Sequence, residues 1–134
     1  MAHLNIESVN SVDVENGLVH VLNFKRSSIG SFTVFVIQVG VGEHSWTVER
    51  RYSEFEQLDK VLFQRRIGAK ASFLPPKKIL GRFEEDFLVE RRRDLEKYLR
   101  AALSIELDLA RQHRFHSVSA ELARFLHLHH YVRC

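Results

Sequence analysis

The hydrophobic period of this chain changes once, at Arg50, and that change limits the fold more than any other feature. Before it, apolar residues come in short β-branched and aromatic stretches. Leu18–Phe24 is rich in Val and Leu, and Ser31–Val39 (SFTVFVIQV) lies between Gly30 and Gly40. His44–Arg50 (HSWTVER) alternates apolar Trp46 and Val48 with polar neighbours, the period of a half-buried strand. The loop Gly40-Val41-Gly42-Glu43 predicts a hairpin between the last two.

After Arg50 the spacing becomes helical. Ser53 and Glu56 form an S-x-x-E capping box, and Phe55, Leu58 and Leu62 follow on one face, so a helix is expected from Ser53 to before Gly68. Phe73-Leu74-Pro75-Pro76-Lys77-Lys78-Ile79-Leu80 comes next. Its two prolines lack amide donors and fix φ, which predicts a stiff, extended connector. A second helix is expected over Glu84–Leu103, with Glu84, Glu85 and Asp86 in its first turn, where the dipole favours acids. Ile105–Phe115 reads as a short helix and loop, and Val118–His129 as a last helix with Leu122, Phe125 and Leu126 on one face. Three strands followed by helices define an α+β fold. The expected architecture is a three-stranded antiparallel sheet packed against a helical subdomain of three to four helices, with a polyproline loop.

The 134 residues suit one domain spanning 1–134, with a core of about 18–130; there is no internal repeat and no low-complexity segment. Ten phenylalanines within a 45% hydrophobic chain are enough for one core. The lone cysteine, Cys134, cannot form an internal disulfide, which points to a cytosolic or nuclear setting. Met1–Asn10 lacks a basic-then-apolar leader pattern. The longest apolar run, Phe32–Val41, is broken by Gln38 and Gly40 and falls far short of the roughly 20 residues that span a bilayer, so any membrane role is expected to be peripheral.

Charge is unevenly spread. Residues 1–48 hold two bases and four acids, residues 49–100 fourteen bases and ten acids. Between Asp59 and Glu84 stand seven bases and no acid: Lys60, Arg65, Arg66, Lys70, Lys77, Lys78 and Arg82. Such a block fits an anionic partner, and equally a solvated surface. A nucleic acid would find only Phe63 and Phe73 to stack on and no reader motif, leaving non-specific affinity alone. His127, His129 and His130 are spaced by two, three and one; only His127 and His130 could converge, and no carboxylate or cysteine is well placed, so no metal site is expected. No GxSxG, P-loop, HExxH or CxxC pattern occurs; neither an enzyme nor a cofactor is expected.

Arg91 is the anomaly. Leu88, Arg91, Leu95, Tyr98 and Ala102 fall on one stripe of the second helix, whereas Arg93 points away. A cation on an apolar stripe must be paired, or must reach water from the stripe's edge. Arg50-Arg51-Tyr52 sits where a strand meets a helix. An arginine fork matches a phosphate, and an aromatic offers a face to a ring, although two adjacent arginines are also ordinary surface residues. Lys77 and Lys78 follow the rigid prolines, which lowers the cost of ordering them on a ligand. Phe73, Ile79 and Leu80 either enter a lipid interface or pack inward.

Arg-Arg-Tyr-Ser-Glu-Phe at 50–55, Leu-Pro-Pro-Lys at 74–77 and Glu-Arg-Arg-Arg-Asp-Leu-Glu-Lys-Tyr-Leu at 90–99 together resemble the PX (phox homology) family in order and spacing. The resemblance implies a phosphoinositide-binding module that reads phosphatidylinositol 3-phosphate from the cytoplasmic side of early or recycling endosomes. It implies that Arg51 binds the 3-phosphate, Tyr52 stacks under the inositol ring, Lys77 contacts the 1-phosphate and Arg91 holds the 4- and 5-hydroxyls. Arg50, Lys78, Ile79, Leu80 and Arg82 would touch the membrane around that site. The stretch Lys78–Phe83 is short for such a loop, which implies shallow insertion. The resemblance also carries an alternative, a protein-interaction module with an integrin cytoplasmic tail among its partners.

Overall fold

The computed structural model describes residues 19–41, 43–65, 74–77, 81, 84–111 and 119–128. Strands β1 (Val19–Arg26), β2 (Thr33–Val41) and β3 (His44–Arg50) form an antiparallel sheet in the order β1-β2-β3, as the alternating pattern required. β2 and β3 pair from Val41 with His44 to Phe35 with Arg50, a tighter hairpin than the expected Gly40–Glu43 loop. Phe35, Ile37 and Val39 alternate into the core from the central strand. In β1 the register slips between Val21 and Asn23, a bulge that turns Leu22 outward.

Helix α1 (Tyr52–Arg65) starts earlier than predicted. Its cap is Arg51 with Glu54, not Ser53 with Glu56. The amides of Glu54 and Phe55 donate to the Arg51 carbonyl, and the Arg51 amide donates to Glu54 Oε1 at 2.9 Å. β3 ends at Arg50, so the chain enters the helix at once, and the acid three residues past the cap is Glu54. Ser53 and Glu56 are thereby left for other uses.

Helix α2 (Glu85–Arg111) is longer than the expected 84–103. Gly81, with φ of 70°, makes the turn before it and accepts a hydrogen bond from the Glu84 amide. The short helix expected within Ile105–Phe115 is no separate element: α2 runs on as far as Arg111. Glu106 and Leu107 are buried there, and the sequence has neither glycine nor proline to stop the helix. The apolar stripe holds as predicted: Leu88, Arg91, Leu95, Tyr98 and Ala102 are all buried, while Arg93 is exposed. The polar flank of α2 covers the free edge of β1. Arg92 and Arg100 donate to the carbonyls of Val21 and Val19, and the Val21 amide donates to Glu96. These contacts cover the Val19–Val21 end of the edge strand.

Helix α3 (Ala120–Phe125) is shorter than the expected 118–129. Ser119 caps its start, Leu126 its end, and His127 at φ 57° turns the chain out of the helix. The buried Glu106 accepts a hydrogen bond from the Ser119 amide at 2.8 Å, which ties α3 to α2. The layers meet in an aromatic cluster centred on Phe55, whose ring packs edge-on against Phe35, Tyr98 and Phe125. Tyr98 turns its hydroxyl to the buried Asp59, at 2.8 Å.

Candidate functional site

Three separate segments converge at one end of the sheet. The β1–β2 turn brings Ser31 and Phe32, the start of α1 brings Arg51, Tyr52, Ser53 and Glu56, and the proline connector brings Lys77. With Thr33 and Phe35 of β2 and Phe87, Leu88 and Arg91 of α2, they line an open cleft of about 340 Å³. The β2–β3 register decides this meeting: pairing Phe35 with Arg50 sets the start of β2 beside the end of β3.

Arg91 is only 6% exposed, and its position explains how a cation persists on an apolar stripe. Its guanidinium donates to the Pro76 carbonyl at 2.7 Å and lies over the rings of Tyr52 and Phe87, 4.3 and 4.7 Å from their centroids. Among the described residues no carboxylate forms an ion pair with it. A nearly buried cation held by a carbonyl and two ring faces keeps guanidinium donors for a ligand.

Tyr52 donates its hydroxyl to the Pro75 carbonyl. The two proline carbonyls are thus tied down by two neighbouring side chains, and the connector's rigidity is transmitted to Lys77. Burial raises the Tyr52 phenol above its ordinary value of 10.0; the hydrogen bond and charge of Arg91 work against that rise, and the charges of Glu56 and Asp59 add to it. Arg91 covers the Tyr52 ring, which also packs against the core, and both residues line the cleft. Arg51 is exposed, with its guanidinium 4.0 Å above the Phe32 ring.

The structure therefore places Arg51, Tyr52, Lys77 and Arg91 on one cleft. Arg50 is elsewhere. Its Nε donates to the Phe125 carbonyl at 3.0 Å, and its terminal nitrogens donate to the Glu49 and Arg124 carbonyls. Those contacts fasten β3 to the end of α3 and give Arg50 a structural task. Lys78, Ile79, Leu80 and Arg82 lie outside the described residues, as do most of the basic block and His129 and His130.

Sequence reasoning missed Phe32, Phe87 and Glu56. Phe87 was readable, since it stands four residues before Arg91 on the same helix face. Phe32 gave no signal, because its place depends on the turn between β1 and β2. Glu56 was hidden by a cap it does not make.

The PX domain family model matches residues 38–129. Kinesin-like protein KIF16B of Mus musculus is 41% identical over 73 residues, 54% of this chain and 6% of that protein. Serine/threonine-protein kinase Sgk3 of Rattus norvegicus is 36% identical over 94 residues, 69% of this chain and 18% of that protein. The chain thus spans a small part of the curated relatives it matches. Among solved structures, a designed CISK-PX domain superposes with a TM-score of 0.64 at 28% identity, covering 81% of this chain and 96% of that one. The mouse SNX19 PX domain, solved with a bound sulphate ion, superposes at 0.51 and 21% identity, covering 82% of this chain and 94% of that one.

The chain belongs to the PX domain family, whose members are phosphoinositide-binding modules of this α+β fold. Among the described residues no helix is long and apolar enough to cross a membrane.

Proposed function

We propose that this domain docks its host protein on early or recycling endosomes by binding phosphatidylinositol 3-phosphate. The observation that carries the reading is the convergence of Arg51, Tyr52, Lys77 and Arg91, from three distant stretches, on a single cleft. In this reading Arg51 takes the 3-phosphate as a bidentate fork, Lys77 takes the 1-phosphate, Tyr52 stacks under the inositol ring, and Arg91 donates to the 4- and 5-hydroxyls. Lys78, Ile79, Leu80 and Arg82 follow Lys77 in sequence and would face the bilayer beside it. Co-sedimentation with vesicles carrying each phosphoinositide in turn tests the assignment. Binding confined to the 3-phosphate lipid and lost in Arg51→Ala is expected; binding to every anionic lipid that survives the substitution would reduce the site to a basic surface.

A second reading, a protein-interaction module, draws on SFTVFVIQV, HSWTVERRYSEF, LPPKKILG and ARFLHLHHY, which resemble the PX module of nischarin and suggest an integrin cytoplasmic tail as partner. The exposed Pro76 beside the cleft is a surface such a partner could use. Capture of the tail undiminished by Arg51→Ala and Arg91→Ala would favour it, and the two functions can coexist.

A further inference from the structure

Among the described residues, Glu56 is the one lining residue whose charge opposes phosphate. It shares the cleft with Arg51, Lys77 and Arg91, yet among the described residues no cation forms an ion pair with it. The capping task that its spacing suggested belongs to Glu54. It is half-buried, one helical turn beyond Tyr52, and its charge acts on the Tyr52 phenol.

Arg91 and Glu56 flank the same tyrosine with opposite capacities. A guanidinium only donates hydrogen bonds and an ionised carboxylate only accepts them. A ring hydroxyl both donates and accepts, so it satisfies the two together. A phosphate only accepts: it could use Arg91, but would meet Glu56 as a like charge in a partly desolvated cleft.

We propose that Glu56 is a specificity-determining residue that restricts the cleft to an inositol ring carrying one phosphate monoester, by demanding a hydroxyl where a second monoester would stand. The inference rests on the reading of the cleft as a phosphoinositide site. Its ligand chemistry, a phosphorylated inositol ring, could come from a bilayer lipid or from a soluble inositol phosphate.

The test measures binding of the purified chain to phosphatidylcholine vesicles doped with lipids bearing one or two ring monoesters. The deacylated head groups serve as competitors, and thermal melting confirms that each variant folds. Glu56→Gln is expected to strengthen binding to the two-monoester lipids by about tenfold, the removal of one like charge at close range, and to change single-monoester binding by about threefold or less. Glu56→Asp, which keeps the charge, should preserve the discrimination. The head groups should reproduce the same ratios, because the selection is made at the ring; a ratio seen only on vesicles would overturn the inference. So would a Glu56→Gln effect equal for all lipids, or none, and in that case Arg51-dependent binding by the parent chain would leave the site reading intact. Absence of any Arg51-dependent binding would overturn both.

Discussion

Arg50 and Arg51 are adjacent in sequence and belong to opposite regions of the molecule. At the cleft, Arg51 stands exposed above Phe32, and Arg91 rests on Tyr52 and Phe87 with one proline carbonyl as its acceptor. At the seam between β3 and α3, Arg50 also lies over an aromatic ring, that of Phe125, 5.4 Å from its centroid. There, however, three backbone carbonyls take up its donors, and the indole of Trp46 donates to the Leu126 carbonyl beside it. The two regions share one device, a guanidinium on an aromatic face, and differ in what it is left to bind. Where three carbonyls hold the fork the contact closes a helix end; where a single carbonyl does, a binding site remains.

Four substitutions or titrations test that division. Phe55 touches both regions, so Phe55→Ala should erase the distinction: a loss of about 3–5 kcal/mol of stability in denaturant unfolding, taking both lipid binding and the α3 seam with it. Arg51→Ala should weaken binding to 3-phosphate vesicles by about 1.5–3 kcal/mol, the range for charge-assisted hydrogen bonds, and leave the melting midpoint nearly unchanged. Arg50→Ala should do the reverse, lowering stability by about 1–2 kcal/mol with vesicle affinity preserved. An Arg50→Ala protein of parental stability but impaired binding would dissolve the comparison.

The smallest effect concerns pH. Folding raises the Tyr52 phenol chiefly through burial, so the native state holds that proton more firmly than the unfolded chain does. Its contribution to stability is complete below the unfolded value of 10.0 and is lost as pH rises through the higher folded one. Absorbance titration should show one tyrosine ionising late, and Tyr52→Phe should flatten the alkaline decline in melting temperature. A phenol ionising below 10.0 would mean that Arg91 outweighs burial, and that the cleft is wetter than the geometry indicates.

What could be read from the sequence was whatever depends on neighbours along the chain. The hydrophobic periods on either side of Arg50 predicted the strand-to-helix order, a three-stranded antiparallel sheet and the stripe on α2. The stripe in turn marked Arg91 as a cation requiring company, before any resemblance was considered. The motifs named four residues that do share a cleft. Tertiary structure decided which atoms satisfy which. Sequence spacing proposed Ser53 with Glu56 as the cap, and the abrupt exit from β3 handed that task to Arg51 and Glu54. Spacing also paired Arg50 with Arg51, and the end of α3 separated them. The buried partners Glu106 and Ser119, and Tyr98 and Asp59, stand 13 and 39 residues apart, so no local rule could have joined them. Periodicity sets which face a residue occupies; hydrogen bonds require donor and acceptor to lie within an ångström or so of a set distance, and only the packed chain fixes that.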